Sequence, residues 1–130
     1  MGMPADRQVV NADGAPAAIG PYSHAVRTGD LLFVSGQVPF DPATMELVGD
    51  TPADQARQCL RNLETICEAA GTSLQRAVRC TVYMQDLGAF ANVNEAYAEF
   101  FPSEPPARVA FGVAALPKGA LVEIDAIVAV

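Results

Sequence analysis

The sequence has no tryptophan and one histidine, His24, and its three cysteines never form a Cys-x-x-Cys pair. A single imidazole excludes two histidines acting as an acid–base pair, and it excludes a histidine-rich metal site. The sequence also lacks a glycine-rich phosphate loop, a dinucleotide fingerprint and the Gly-x-Ser-x-Gly turn of serine hydrolases. We therefore expect no metal, no cofactor and no catalytic triad.

Charge is scarce and mostly negative. Charged residues make up 18% of the chain, eight basic residues stand against fifteen acidic ones, and the net charge is −7. Nucleic-acid binders usually carry a basic stripe, and the basic residues here do not cluster. We therefore do not expect nucleic acid as a partner. Apolar residues make up 51% of the chain, which excludes intrinsic disorder. This share is high for a small protein of 13.6 kDa, and we refer to it below as the apolar excess.

Long apolar runs are missing as well. A membrane-spanning helix needs about 20 apolar residues in succession, and glycine and proline interrupt the longest uncharged stretches here. Residues 1–7 lack the apolar segment of a signal peptide. Cys59, Cys67 and Cys80 occupy apolar positions, which indicates free core thiols in a reducing compartment rather than nucleophiles. We expect a cytoplasmic protein that does not contact membranes.

The chain has 130 residues without a repeat, linker or low-complexity tract, which predicts one domain over residues 1–130. Two helices are predicted. The first is capped by Thr51, has Pro52 at its first position and ends at Gly71. The second runs from about residue 89 to 101, with Asp86 as its cap.

Six strands are predicted from short apolar or alternating runs, over residues 9–10, 25–27, 31–37, 77–84, 107–114 and 120–130. In the fourth strand Val78, Cys80, Val82 and Met84 are expected to share one face. Nine of the eleven residues from 120 to 130 are apolar, on both faces, so both faces should be buried. Two helices can cover only one face of such a sheet. The other face therefore needs another subunit.

Two loop motifs each allow two interpretations. The motif Ala18-Ile19-Gly20-Pro21-Tyr22-Ser23 is either an ordinary turn with Tyr22 packed over the core or part of a site. The motif Ser35-Gly36-Gln37-Val38-Pro39 is either a strand-end turn or part of a site. For His24, a solvent-facing or hydrogen-bonded position is favoured over a place in a cleft.

Arg108 begins a strand that is otherwise built of apolar residues, and Glu123 and Asp125 interrupt the apolar last strand. A guanidinium is always charged in proteins and is costly to bury without a partner. One interpretation is an internal ion pair of Arg108 with Glu123 or Asp125. The other is a two-pronged site for a substrate carboxylate, which arginine suits better than lysine. Both remain open at this point.

Five motifs follow one another along the chain: Ala18-Ile19-Gly20-Pro21-Tyr22-Ser23, Ser35-Gly36-Gln37-Val38-Pro39, Phe90-Ala91-Asn92-Val93-Asn94, Pro106-Ala107-Arg108 and Leu116-Pro117-Lys118-Gly119-Ala120-Leu121-Val122-Glu123-Ile124. In this order they resemble the reactive intermediate deaminase family (RidA, also called YjgF). The resemblance extends from about Asn11 to Val130. It implies an α+β, chorismate-mutase-like fold, with a mixed sheet, two helices on one face and a homotrimer with ligand clefts between subunits.

The resemblance also implies a reaction. Members of that family typically hydrolyse enamines and imines such as 2-aminoacrylate to 2-oxo acids and ammonia, without a cofactor. Arg108 matches the arginine that holds the substrate carboxylate, and Glu123 matches the glutamate that positions the attacking water. The backbone carbonyl of Ala110 would accept a hydrogen bond from the imine nitrogen. The other matches are Tyr22 of the Gly-Pro-Tyr loop, Ser35 of the Ser-Gly-Gln motif, Asn94 of the second helix, and Gly36, which would shape the pocket wall.

One departure from the family pattern leaves alternatives open. The typical deaminase has Arg-Ser-Cys where this chain has Arg108-Val109-Ala110. If that cysteine acts through its backbone carbonyl, Ala110 can replace it; if the thiol or its size matters, the rate or substrate range will differ. The departure keeps open a non-catalytic trimer that binds small carboxylates. A ribonuclease or translation inhibitor is a third alternative, against which the net charge and the single histidine weigh.

Overall fold

The computed structural model describes residues 6–130. Residues 1–5, part of the stretch in which the sequence predicts no signal peptide, lie outside the described residues. The described chain contains six strands and two α-helices. The helices are α1 (Pro52–Ala69) and α2 (Phe90–Phe100). The strands are β1 (Gln8–Val10), β2 (Ala25–Thr28), β3 (Leu31–Gln37), β4 (Ala77–Met84), β5 (Ala107–Gly112) and β6 (Val122–Ala129).

All six strands form one sheet in the order β1-β2-β3-β6-β4-β5. The β4–β5 pair is parallel and the other pairs are antiparallel, so the sheet is mixed. Strands β2 and β3 form a hairpin around Gly29, whose φ of 57° suits a tight turn. Helix α1 packs on β3 and β6, and α2 packs beside α1. The predicted α+β class, with two helices on one face of a mixed sheet, is confirmed.

Helix α1 begins and ends where its capping residues predict. The Thr51 hydroxyl accepts a hydrogen bond from the Asp54 amide at 3.2 Å, and Pro52 occupies the first turn. Gly71 follows the C-terminal end with a φ of 82°, a left-handed conformation that costs glycine little. The apolar stripe of the helix is fully buried against the sheet, including Leu60, Leu63 and Ile66.

Helix α2 begins differently from the prediction. A short 3₁₀ turn over Leu87–Ala89 precedes it, and the carboxylate of Asp86 accepts from the Gly88 amide within that turn at 2.8 Å. Asp86 therefore caps the turn, and α2 starts at Phe90 without a side-chain cap. Capping residues report that a helical segment begins, but they do not distinguish a 3₁₀ turn from an α-helix.

The last two strands are shorter than predicted. Strand β5 ends at residue 112 rather than 114, and β6 covers residues 122–129 rather than 120–130. A 3₁₀ turn over Pro117–Gly119 takes up the connection, with Lys118 at a φ of 58° and Gly119 at 74°. Apolar composition alone therefore overestimates both strands at their ends.

Val78 does not share a face with Cys80, Val82 and Met84. Those three side chains are buried, whereas Val78 is 49% exposed. A register shift between Ala77 and Arg79 on the β4–β6 pair accounts for the difference, because a bulge reverses the alternation of side chains beyond it. The predicted common face is wrong for this one residue.

The face of the sheet away from the helices, which we call the open face, has an unusual composition. Alternate residues of β6 are buried under the helices, and the others, including Glu123 and Asp125, are half-exposed on the open face. Phe33 on the same face is 44% exposed, and Val109 and Phe111 are also exposed. Neither α1 nor α2 covers this face. Within residues 6–130, neither helix combines the length and apolar character that crossing a bilayer requires.

Candidate active site

A cavity of about 350 Å³, here called the first cavity, opens where β3 ends beside β6. Tyr22, Ser35, Gly36 and Glu123, four of the predicted site residues, all line it. The rest of the wall is mostly apolar, and it comprises Pro16, Ala17, Ile19, Gln37, Val38, Phe40 and Pro117. The fold therefore brings together a phenol, a hydroxyl and a carboxylate from three separate parts of the chain.

Glu123 lies half-buried in the first cavity, directly beside Gly36. A Cβ atom on Gly36 would collide with Oε2 of Glu123, so the absence of a side chain at residue 36 makes room for the carboxylate. Burial raises the pKa of Glu123 above its ordinary value, and the nearby Asp125 carboxylate raises it further. A carboxylate with a raised pKa is a better proton acceptor, which suits a general base.

Ser35 and Tyr22 differ in how firmly they are held. The Ser35 hydroxyl donates to the Ser23 carbonyl at 2.7 Å, which leaves its lone pairs to accept a hydrogen bond. Tyr22 is 45% exposed, so the interpretation that it packs over the core is wrong. Its ring stands at the edge of the first cavity.

Arg108 lies on the other side of the sheet, against α2. Its Nη1 donates to Oδ1 of Asn94 at 2.7 Å, and its guanidinium carbon sits 5.2 Å from the ring centroid of Phe90 and 5.0 Å from that of Tyr97. Both separations allow cation–π attraction. A second cavity of about 460 Å³ adjoins this arginine.

No carboxylate lies within ion-pair distance of Arg108 in residues 6–130. Asp125 instead accepts from the Tyr83 hydroxyl at 2.7 Å and from the Thr81 amide at 3.2 Å. The interpretation of Arg108 as the partner of Glu123 or Asp125 within the chain is therefore wrong.

Phe90 and Tyr97 are further candidate site residues that sequence reasoning missed, because aromatic residues at helical spacing usually belong to the packed face of a helix. Their spacing carries a usable signal. Phe90, Asn94 and Tyr97 stand at positions i, i+4 and i+7, which lie on one helix face. An amide between two aromatic residues on one face can hold a guanidinium by a hydrogen bond and two ring contacts.

The predicted site residues divide between the two faces of the sheet. Arg108 pairs in register with Cys80, whose side chain is in the core beneath the helices. Glu123 pairs with Tyr83 and emerges on the open face. Strand β4 lies between the two strands that carry these charges. Ala110, two residues beyond Arg108, shares the arginine's face and lines neither cavity.

The three cysteines are free and buried, as their apolar positions predict. Burial raises the pKa of the Cys59 thiol well above its ordinary value, that of Cys67 to about 12 and that of Cys80 to about 11. A thiol with such a pKa is protonated at neutral pH and is a poor nucleophile. The candidate chemistry therefore rests on Arg108 and Glu123.

Comparison with known proteins assigns the family. The profile of the family described as Endoribonuclease L-PSP matches residues 12–130. The chain belongs to the RidA/YjgF/L-PSP family. The resemblance carried by the five sequence motifs is confirmed.

Two curated members of the family illustrate how close the match is. RutC family protein y4sK of Sinorhizobium fredii is 52% identical over 119 residues, which cover 92% of this chain and 94% of that protein. The 2-iminobutanoate/2-iminopropanoate deaminase of Bos taurus is 46% identical over 121 residues, which cover 93% of this chain and 88% of the enzyme.

Solved structures of Rid proteins share the fold closely. RidA from the Antarctic bacterium Psychrobacter sp. is 48% identical with a TM-score of 0.89, over 95% of this chain and 99% of that one. TdcF of E. coli, solved with bound serine, is 40% identical with a TM-score of 0.89, over 95% of this chain and 98% of that one. The YjgF-like architecture is therefore established.

In this Rid chain, buried side-chain amides of α1 also support the wall of the first cavity. Asn62 donates to the carbonyls of Val38 and Phe40 at 3.2 and 3.0 Å, and both acceptors belong to the cavity wall. Gln55 accepts from the Leu121 amide at 2.7 Å, two residues before Glu123. The apolar periodicity of α1 gives no indication of these contacts, since they depend on which loops pass the helix.

Proposed function

We propose that this Rid protein hydrolyses enamines and imines, such as 2-aminoacrylate and related 2-imino acids, to 2-oxo acids and ammonia. The observation that carries the proposal is that the Arg108 guanidinium is oriented but has no carboxylate partner among the described residues. Asn94, Phe90 and Tyr97 orient its guanidinium, and no carboxylate of residues 6–130 neutralises it. A fixed guanidinium with free donors is suited to bind a carboxylate in two-pronged fashion. Relatives at 44–46% identity are named 2-iminobutanoate/2-iminopropanoate deaminases, which supports this choice.

The chemistry asks little of the protein. The enamine takes a proton on carbon to become an iminium ion, and water then adds to the iminium carbon. The C–N bond breaks, ammonia leaves, and the carbon retains oxygen as the carbonyl of the 2-oxo acid. The site must hold the carboxylate, keep the nitrogen protonated and direct the water. Arg108 performs the first task, the Ala110 carbonyl the second, and Glu123 with Ser35 or Tyr22 the third.

The proposal requires two copies of the chain. Arg108 and Glu123 leave the sheet on opposite faces, with β4 between their strands, so one copy cannot bring them to the same substrate. We infer that Arg108, Asn94 and Ala110 of one subunit face the first cavity of the next, in a homotrimer with three equivalent clefts. The exposed apolar side chains of the open face support such an assembly.

Mixed assemblies of two inactive variants test this arrangement. Arg108→Ala and Glu123→Gln should each lower the hydrolysis of freshly generated 2-aminoacrylate by about 100-fold or more, measured by ammonia and 2-oxo acid release. Co-expressed, the two variants should regain a substantial part of the activity, because some clefts then combine an intact arginine with an intact glutamate. Arg57→Ala, which removes a surface ion pair between the helices, is the matched control with unchanged activity.

Two results would contradict the proposal. Wild-type activity in Arg108→Ala would remove the arginine from the mechanism. Mixed assemblies no more active than either parent would show that one chain supplies the whole site.

A second candidate is a non-catalytic trimer that binds small carboxylates. Ala110 in place of the family cysteine favours it, and the related TdcF structure contains serine, an amino acid that carries a carboxylate. Protein that binds 2-oxo acids and never accelerates the decay of 2-aminoacrylate would support this candidate. Ribonuclease activity is not proposed, because eight basic residues face fifteen acidic ones.

The proposal also includes a cytoplasmic location and a single domain over residues 1–130. The three buried, unpaired cysteines are compatible with a reducing compartment. The expected ligand is a small imino or 2-oxo acid, with no membrane or nucleic acid as a partner.

A further inference from the structure

We propose that His24 is a positioning residue for the first cavity. Its imidazole holds the segment that leads into the loop of residues 16–22, and this loop carries Tyr22 over the cavity. The inference rests on the proposed function, because it concerns the same cavity. It assigns a role to the single histidine, which neither contacts substrate nor acts as acid or base in the proposed reaction.

Both ring nitrogens of His24 are bound to backbone. The side chain is 4% exposed, Nδ1 accepts from the Ala12 amide at 2.9 Å, and Nε2 lies 2.7 Å from the Pro16 carbonyl oxygen. An amide N–H can only donate and a carbonyl can only accept. The ring must therefore be neutral, with its hydrogen on Nε2, so that each nitrogen meets its partner.

The loop that follows Pro16 has few other attachments. Four cavity-lining residues lie between positions 16 and 22, and Ile19 among them is 62% exposed. Within residues 6–130, the one other hydrogen bond made by this loop is internal, from the Tyr22 amide to the Gly20 carbonyl at 2.8 Å. The bond to His24 therefore fixes the point at which the chain enters the cavity wall.

The backbone of His24 connects the start of this loop to β3. Its carbonyl accepts from the Ser35 amide at 2.9 Å, and the Ser35 hydroxyl donates to the Ser23 carbonyl at 2.7 Å. One residue thus joins the start of the loop to the strand that carries Ser35 and Gly36. A shift of the ring would move Tyr22 relative to Ser35, and a displacement of about 1 Å can cost on the order of 100-fold in rate.

Two conservative variants separate the two ring contacts. In His24→Gln the side-chain amide can reach Pro16 as Nε2 does, but it leaves the Ala12 amide without an acceptor. In His24→Asn the carbonyl oxygen can replace Nδ1 toward Ala12, but the side chain is too short for Pro16. We expect kcat/KM for 2-aminoacrylate to stay within about 3-fold in His24→Gln and to fall by about 10- to 100-fold in His24→Asn.

Loop order and ring tautomer provide readouts that need no substrate. In wild type, the one imidazole should show its hydrogen on Nε2 by long-range ¹H–¹⁵N NMR. Backbone ¹⁵N relaxation at Ala17, Ala18 and Ile19 should report a more mobile loop in His24→Asn than in His24→Gln. The control is Gln75→Ala, which removes a surface side-chain bond to the Phe100 carbonyl and should change neither readout.

Each outcome decides the question. A hydrogen on Nδ1, or equal loop mobility in the Asn and Gln variants, would overturn the positioning role whatever the activities are. If the loop responds as expected and even wild type lacks deaminase activity, the positioning role stands and the proposed function fails. Thermal unfolding of both variants shows whether a loss of activity comes from general instability. The comparison is direct because both substitutions are made at residue 24.

Discussion

At the scale of single residues, the two charged groups of the site are prepared by opposite means. Two ring faces and the Asn94 oxygen orient the Arg108 guanidinium without neutralising its charge. Glu123 carries a charge that its surroundings disfavour, because burial and the Asp125 carboxylate both raise its pKa. In the proposed reaction, the arginine would bind the substrate carboxylate and the glutamate would accept a proton.

Glu123→Gln should lower activity and raise stability at neutral pH. The pKa of Glu123 is higher in the folded chain than its ordinary value of 4.5, so the protonated carboxyl favours folding below about pH 4.5. That contribution is lost as the pH rises through the raised pKa, and at pH 7 the ionised group opposes folding. Urea unfolding at fixed protein concentration should therefore show the variant to be more stable than wild type at pH 7, with no gain at pH 4.

The control for this prediction is Glu68→Gln, on the exposed side of α1, which should alter stability at neither pH. Wild-type activity should also decline as the pH falls through the raised pKa of Glu123, because the base becomes protonated. If Glu123→Gln is no more stable than wild type at pH 7, the claim that the ionised Glu123 opposes folding is refuted.

Tyr97→Phe should leave the site intact. The Tyr97 hydroxyl is buried beside the Cys80 thiol, and the geometry provides no hydrogen bond between the two or from the hydroxyl to any other group of residues 6–130. Its removal should leave stability unchanged or raise it by about 1 kcal/mol. The phenyl ring still faces Arg108, so kcat/KM should stay within a few-fold. Tyr97→Leu removes the ring face and should raise KM, measured by the same 2-oxo acid assay.

A loss of more than about 1 kcal/mol in Tyr97→Phe would show that the hydroxyl does have a partner. An unchanged KM in Tyr97→Leu would show that the ring does not orient the arginine.

At the scale of elements, α1 does more than cover the sheet. Its apolar stripe packs on β3 and β6, and its buried amides Gln55 and Asn62 hold the loops that wall the first cavity. Helix α2 similarly holds Arg108 through Phe90, Asn94 and Tyr97. Both helices thus position site residues that lie outside them.

Asn62→Ala should weaken both the fold and the site. The substitution leaves the Val38 carbonyl with only its bond from the Phe40 amide, at 2.8 Å, and leaves the Phe40 carbonyl with only the longer bond from Gln58, at 3.3 Å. The expected loss is about 1–3 kcal/mol in urea unfolding, with a fall in kcat/KM as the cavity wall shifts. Arg61→Ala, one residue earlier on the exposed side of α1, should change stability by less than about 0.5 kcal/mol. Equal stability of the two variants would contradict the role of the amide.

At the scale of the whole molecule, burial of the open face in the proposed trimer would explain the apolar excess of the sequence. Phe33, Val109 and Phe111 are exposed on one sheet face that neither helix covers. Burial of this face between copies of the chain would account for a 51% apolar composition at this size. The proposed trimer would also supply each arginine with a neighbour's glutamate.

Phe33→Asp should break the assembly without unfolding the chain. Phe33 is already exposed in a single copy, so the variant should still fold, but a carboxylate buried between subunits is costly. Light scattering should show wild type at about 41 kDa, three chains of 13.6 kDa, and the variant as an inactive monomer. Arg57→Ala on the helix side should remain trimeric. A monomeric, active wild type would contradict the two-chain site.

Much of the fold follows from local sequence. The boundaries of β3 and β4 and both ends of α1 match prediction because alternation and capping act between near neighbours in the chain. Arg108 is recognisable for a similar reason, since a permanent charge on an apolar strand needs a partner. The start of α2 and the ends of β5 and β6 do not match, because 3₁₀ turns share the residue preferences of their neighbours.

The number and type of the main elements, the family and the chemical character of the candidate site follow from the sequence alone. The position of each group depends on the tertiary structure. Strand order and register place Arg108 and Glu123 on opposite faces, and a bulge in β4 exposes Val78. The two bonds of the His24 ring join residues twelve and eight positions apart. The physical reason is that such contacts arise from packing between distant segments, which local propensity does not encode.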